Sequence, residues 1–286
     1  MGTKAFSINE LTIDRLSTYG RWMKTELHLK NGSIKDHLYD VSNVWTYAIT
    51  HRLIDPTTTP FITFHPKLIY PQAPEKKAVT EEQFDAIRNQ LQDLILLRLK
   101  EKRMDVFSNI YSDEFTLAMY VLGYYFGGLA LVDMSNLRKN QLSTMQQGKA
   151  VYYIFKDVQR QKTNRHVPLI VHRDLLTRPL IEYFMENSAT EYLFPIRTGE
   201  TNPASIHKRM NTIVRTINAH LRKITGLDIT YYSCRHTFCT IAMNKPGITL
   251  PTVAAIMGRS PAGIFRYVKE LTNVNDIIKA RGVIGL

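Results

Sequence analysis

Residues 229–240, ITYYSCRHTFCT, decide how this chain is read. They set Arg235, His236, Thr237 and Phe238 in a row, and an isolated tyrosine, Tyr267, follows one short predicted helix later. A guanidinium grips a phosphate through two parallel N–H donors and keeps its charge at any accessible pH. A phenol becomes a nucleophile once a phosphate is positioned beside it and its proton has an acceptor. Between the two lies 248–258, ITLPTVAAIMG, where apolar residues at helical spacing run into a glycine stop ahead of Arg259 and Ser260. The phrase FRYVKE around Tyr267 predicts a second short helix. Taken alone, the tetrapeptide fits any helix start and Tyr267 fits the core side of an amphipathic helix. Their order along the chain points instead to DNA strand breakage through a phosphotyrosine.

The composition agrees with a nucleic-acid partner. Against 25 Asp and Glu stand 37 Lys and Arg, a net charge of +12 on 286 residues. A basic chain gains affinity for DNA by releasing counterions from its phosphates, although charge of this size also occurs in proteins that bind none. The start of the chain is polar and lacks the long apolar core of a signal peptide. The longest uncharged stretch, 115–132, contains Gly123, Gly127 and Gly128 and runs into Asp133, which predicts a buried helix and no membrane span. A soluble, cytoplasmic protein is the expectation. Cys234, His236 and Cys239 have the look of a metal motif, but on a helix these positions face different sides and cannot converge on one ion. Both cysteines read as small core residues of a reduced protein.

With 44% hydrophobic residues, the chain has enough for one large core or two smaller ones, and its punctuation favours two. Residues 8–22 and 33–53 show amphipathic helical patterns that suit a small helical domain, with Trp45 and Tyr47 among the apolar positions. Residues 55–74, holding Pro56, Pro60, Pro66, Pro71 and Pro74, predict an extended linker. A new helix is then expected to start with Thr80 as its N-cap and Glu81 and Glu82 in its first turn. Residues 114–137 read as one helix, 141–170 as two or three strands around polar turns, and 172–187 and 205–224 as helices again. The last of these carries Lys208, Arg209, Arg215, Arg222 and Lys223, which fit either a solvated face or direct phosphate contact.

From about Ile8 to Tyr267 the chain resembles the tyrosine recombinase (phage integrase) family. That family's signature is an R-H-x-F box, a leucine-glycine-histidine turn, and a tyrosine about one short helix later. Residues 158–169, VQRQKTNRHVPL, are similar to the family's β-hairpin with a K-T tip, and the branch most similar is that of bacterial mobile-element integrases. The resemblance implies a fold that is mainly α with a small antiparallel β-sheet. A helical core-binding (SAM-like) domain, 1–72, and a mixed α/β catalytic domain, 73–286, would form a clamp around DNA. It also implies that Tyr267 attacks a DNA phosphate to leave a 3′-phosphotyrosine. Lys162 would protonate the departing 5′ oxygen, Arg235 would clamp the non-bridging oxygens, and Arg259 and Tyr232 would complete the catalytic set. Arg160, Arg165, Lys208, Arg209 and His236 would contact DNA. The partners implied are double-stranded DNA, further copies of the chain forming a tetramer on it, and accessory DNA-bending proteins, in a bacterial cytoplasm and away from any membrane. No metal, nucleotide or other cofactor is needed, because a 5′ hydroxyl reverses the phosphotyrosine bond. With the pattern beginning near Ile8, no arm-binding domain is expected, and the apolar tail 273–286 is expected to dock on a neighbouring protomer or on its own domain.

Three positions depart from the family pattern. Ala130 stands where the first arginine belongs in the phrase 128–133, and Gly127 stands where the mobile-element branch has one. Tyr232 replaces a histidine just upstream of Arg235; its phenol can still donate a hydrogen bond. Arg259 replaces the histidine after the glycine turn, and can neutralise charge there without shuttling a proton. Loss of one preorganised donor at a developing oxyanion costs on the order of 10² to 10³ in rate, and Arg138, Arg160 and Arg259 are the candidates to restore it. Two activities therefore fit: an active site-specific recombinase, or a catalytically degenerate DNA-binding relative acting as an accessory or regulatory protein. A helical transcription regulator with an accidental box, and a type IB topoisomerase, fit less well.

Overall fold

The structure, a computed structural model, describes residues 8–70, 78–161 and 164–264. The chain divides into two compact units, Met1–Glu75 and Lys76–Leu286. The domain boundary expected from the sequence, at 72 and 73, lies outside the described residues.

In the first unit, α1 (Ile13–Thr25) starts at Thr12, whose hydroxyl accepts from the Arg15 N–H, and α2 (Asn31–Thr50) returns against it. Their facing apolar positions, Leu16, Met23, Ile34 and Leu38, are fully buried. The proline-rich stretch that follows is not an extended linker as far as Tyr70. It folds into two 3₁₀ turns, Pro56–Thr58 and Pro60–Ile62, and a short helix, α3 (Pro66–Ile69). Each proline opens a turn, where its fixed φ suits the first helical position and its missing N–H costs nothing. Apolar residues are interspersed between the prolines, so the segment gains by folding back: Phe64 and Tyr70 close onto the core of α1 and α2. Gly20 permits that closure, because a Cβ there would lie 2.8 Å from Cζ of the Tyr70 ring.

The second unit opens with α4 (Glu81–Glu101), and the expected N-cap is present as a capping box between Thr80 and Gln83. Next comes α5 (Asp113–Tyr125), the centre of the core: Phe115 through Leu122 are all fully buried, and α5 packs on α4 and on two later helices. The stretch 114–137 is not one helix. Gly127 and Gly128 adopt left-handed φ of 67° and 70°, and the chain turns before restarting as α6 (Leu131–Ser135).

Three antiparallel strands follow in order, β1 (Leu142–Gln147), β2 (Ala150–Gln159) and β3 (His166–His172). The next helix, α7 (Thr177–Asn187), begins later than its periodicity suggested, because His172 still belongs to β3 and Asp174 caps the turn through the N–H groups of Leu176 and Thr177. Then come α8 (Pro203–Thr225), stopped by Gly226 at φ 67°, and α9 (Ser233–Met243), the helix that carries the R-H-T-F box. α10 (Leu250–Ile256) and α11 (Pro261–Ile264) complete the described part. The helices that pack on α5, besides α4, are α8 and α9. The expected class, mainly α with a small antiparallel sheet, is what the chain adopts.

Thr80 makes a direct test of the capping logic. Thr80→Ala should lower the unfolding free energy by about 1 kcal/mol, and Thr80→Ser should restore it, in chemical denaturation.

Candidate functional site

The box arginine lies in the first turn of α9 and is 1% exposed. Its Nη1 donates to the Gly128 carbonyl at 2.7 Å and its Nη2 to the Met257 carbonyl at 2.8 Å. Gly128 makes the approach possible: a Cβ on it would sit 2.6 Å from Arg235 Cα, against backbone that cannot yield. The glycine turn between α5 and α6 is therefore shaped to receive α9.

A second arginine joins Arg235 through a change of phase in β2. Tyr153 and Phe155 point inward, and strict alternation would next bury Asp157 and leave Arg160 facing solvent. The register against β3 shifts between Phe155 and Val158, and Asp157 takes a left-handed φ of 54°. That extra residue reverses the parity, so Val158 and Arg160 turn inward, at 3% and 5% exposure. The Arg160 Nε donates to Asp133 Oδ2 at 3.3 Å, and its Nη1 donates to the Met257 carbonyl that Arg235 also uses. The other Asp133 oxygen accepts from the Gln161 N–H at 2.9 Å. Gly258, at φ 58°, lets Arg160 cross the turn after α10, since a Cβ there would lie 2.8 Å from Arg160 Cδ.

Arg259 follows directly, and its Nε is buried without a hydrogen-bond partner among the described residues. Arg160 is pulled below its ordinary pKa by burial first and by the charge of Arg235 second; Asp133 opposes the shift and Arg259 adds to it. Three guanidiniums thus gather around the Met257–Gly258–Arg259 turn, with the Asp133 carboxylate paired to that of Arg160. Buried charge is stable only when compensated, and the Asp133 carboxylate compensates that of Arg160.

Tyr232 stands at the N-cap of α9, 44% exposed, with its ring edge-on to His236 at 5.5 Å. Ala130, Gln161 and Tyr232 border one cleft of about 690 Å³, so the positions where the resemblance expects an arginine and a histidine face the same open space.

Of the remaining expected residues, Arg138 is held away from the cluster by Glu191 at 2.9 Å and by the Tyr192 ring. Arg209 donates from Nε to the Ile196 carbonyl at 2.6 Å and faces Glu200, so its first duty is to fix the start of α8. Lys208 and Arg165 are exposed. Lys162, Tyr267 and the tail 273–286 lie outside the described residues. Sequence reading missed the role of Asp133 and the shared Met257 carbonyl; Asp133 had been noticed only as the end of an apolar run. Cys234 and Cys239 are fully buried free thiols, and burial pushes the Cys234 pKa up to about 12.

By sequence, no family model matches the chain and no curated protein matches it. Solved structures do. The Tn1549 transposon integrase, in complex with a circular intermediate DNA, matches with a TM-score of 0.61 at 15% identity, over 97% of this chain and 87% of that one. The XerH site-specific recombinase, bound to palindromic difH substrate in a post-cleavage complex, matches with a TM-score of 0.59 at 12% identity, over 99% of this chain and 75% of that one. A lambda integrase dimer bound to a COC′ core site matches with a TM-score of 0.52 at 15% identity, over 91% of this chain and 65% of that one. The fold is that of the tyrosine recombinases and integrases. Among the described residues no helix is long and apolar enough to cross a membrane.

Two measurements test the packing around the box. Gly128→Ala should cost about 1–3 kcal/mol in thermal or chemical unfolding, whereas Gly148→Ala, with a similar φ of 60° but nothing within 4 Å of its Cβ, should cost visibly less. Thiol alkylation at neutral pH should leave both cysteines unmodified in the native protein and modify both after denaturation.

Proposed function

We propose that this chain is a site-specific DNA recombinase of the integrase type, cutting and rejoining DNA through a 3′-phosphotyrosine. The observation that carries the reading is the cluster of Arg160, Arg235 and Arg259 around one turn, three guanidiniums held within interaction range of one another. The fold agrees, as do the net charge of +12 and the order of hairpin lysine, arginine box and tyrosine.

In this reading the scissile phosphate sits against the guanidiniums, which neutralise its non-bridging oxygens as charge develops. The Tyr267 phenol oxygen forms a bond to phosphorus while giving up its proton to solvent water. The bond from phosphorus to the 5′ oxygen breaks, and that oxygen leaves with the electron pair and takes a proton from the Lys162 ammonium. A 5′ hydroxyl from a second duplex then attacks the phosphotyrosine by the same path in reverse, returning the phenol. One phosphodiester is exchanged for another, so no external energy source is required.

In this reading residues 1–72 are the core-binding domain and 73–286 the catalytic domain, both contacting DNA, with further copies completing a tetramer. Binding should weaken steeply with salt, because most of its affinity comes from released counterions.

The test is a suicide-substrate assay with nicked duplexes tiled across the DNA that flanks the gene. A denaturation-resistant protein–DNA adduct is expected from the wild-type chain, none from Tyr267→Phe, and a yield at least 10²-fold lower from Arg235→Lys. Tight, sequence-selective binding of one duplex with no adduct would overturn the enzymatic reading in favour of a DNA-binding protein that has lost its chemistry.

A further inference from the structure

The family pattern requires two arginines at the scissile phosphate, and the phrase 128–133 supplies none. We propose that Arg160 is the missing catalytic arginine, delivered to the phosphate from the end of β2, and that Asp133 is the positioning residue that aims it. This rests on the recombinase reading above and adds the identity of the second phosphate-binding group.

Four observations support the assignment. The parity change at Asp157 turns Arg160 inward at the base of the hairpin that carries Lys162. Its guanidinium and that of Arg235 donate to the same oxygen, so the two lie within a pair of hydrogen bonds of each other. The segment where the pattern places its first arginine contacts both guanidiniums: the Gly128 carbonyl accepts from Arg235, and Asp133, on the helix that Ala130 caps, accepts from Arg160. Finally, the bonds of Arg160 to Asp133 and Met257 use Nε and Nη1, and Nη2 makes none among the described residues. A guanidinium has five N–H donors, so a free edge remains for an oxyanion. Arg138 is excluded as the replacement by its pairing with Glu191 and Tyr192.

A brace that merely stabilises the turn and a group that neutralises the phosphate differ in how they respond to the charge of the substrate. The experiment compares strand cleavage of a nicked duplex with that of the same duplex carrying a neutral methylphosphonate at the scissile position. Three proteins are used: wild type, Arg160→Ala, and the doubly neutral variant Asp133→Asn with Arg160→Gln. The double variant keeps a hydrogen-bonded pair where the single one strands a buried carboxylate, and melting curves and DNA affinity are recorded for all three.

On the natural phosphate, cleavage by both variants should fall by about 10² to 10³ relative to wild type. On the methylphosphonate, where no anionic oxygen needs neutralising, the deficit should shrink to within about tenfold. An equal deficit on both substrates would make Arg160 a structural brace and overturn the proposal. Cleavage of the natural phosphate within about threefold of wild type in a folded variant would also overturn it, while leaving the recombinase reading intact. A wild-type protein that binds the duplex and cleaves neither substrate would overturn both.

Discussion

Two buried guanidiniums, Arg160 and Arg235, donate to one main-chain oxygen, that of Met257, and much of the second unit is arranged so that they can. Like charges at such range repel, and each loses hydration on burial, so the arrangement persists only because its other partners are strong. Those partners come from the α5–α6 turn: the Gly128 carbonyl for one guanidinium and the Asp133 carboxylate for the other. Removing one partner of a buried ion pair costs on the order of 3–5 kcal/mol, because the survivor keeps its desolvation cost without its compensation. The same geometry explains why Gly128 and Gly258 lie on either side of the cluster. A side chain at either would displace an arginine or the backbone that bears it.

This cluster also gives physical sense to the departures from the family pattern. Ala130, where that pattern has an arginine, and Tyr232, where it has a histidine, border one cleft with Gln161. Arg160 enters from the sheet and Arg259 from the turn after α10, so two guanidiniums join Arg235 from different elements.

Much of this was legible from residue order alone. The helical periodicity of the amphipathic segments, the Thr80 cap and the alternation of 141–170 follow from local rules, and the structure shows each. The R-H-T-F box identified the helix and the arginine on which the site is built. What escaped the sequence depended on tertiary demands. The prolines of 55–70 look like a linker until Phe64 and Tyr70 are seen to have a core to join. The run 114–137 keeps helical periodicity straight through Gly127 and Gly128, and only the need to admit α9 breaks it. Arg160 is among the candidates for the missing donor, but nothing in KDVQRQK announces the change of phase that turns it inward.

That change of phase makes the strand sensitive to length in a way that it is not sensitive to identity. Several residues at Lys156 or Asp157 would satisfy an exposed position, so point changes there alter little beyond local backbone preference. Loss or gain of a single codon between Phe155 and Val158 is another matter, for it would turn Val158 and Arg160 outward together and leave Asp133 without its cation. Across relatives that diverge by both routes, the count of residues in this short segment would be inherited more faithfully than the residues themselves.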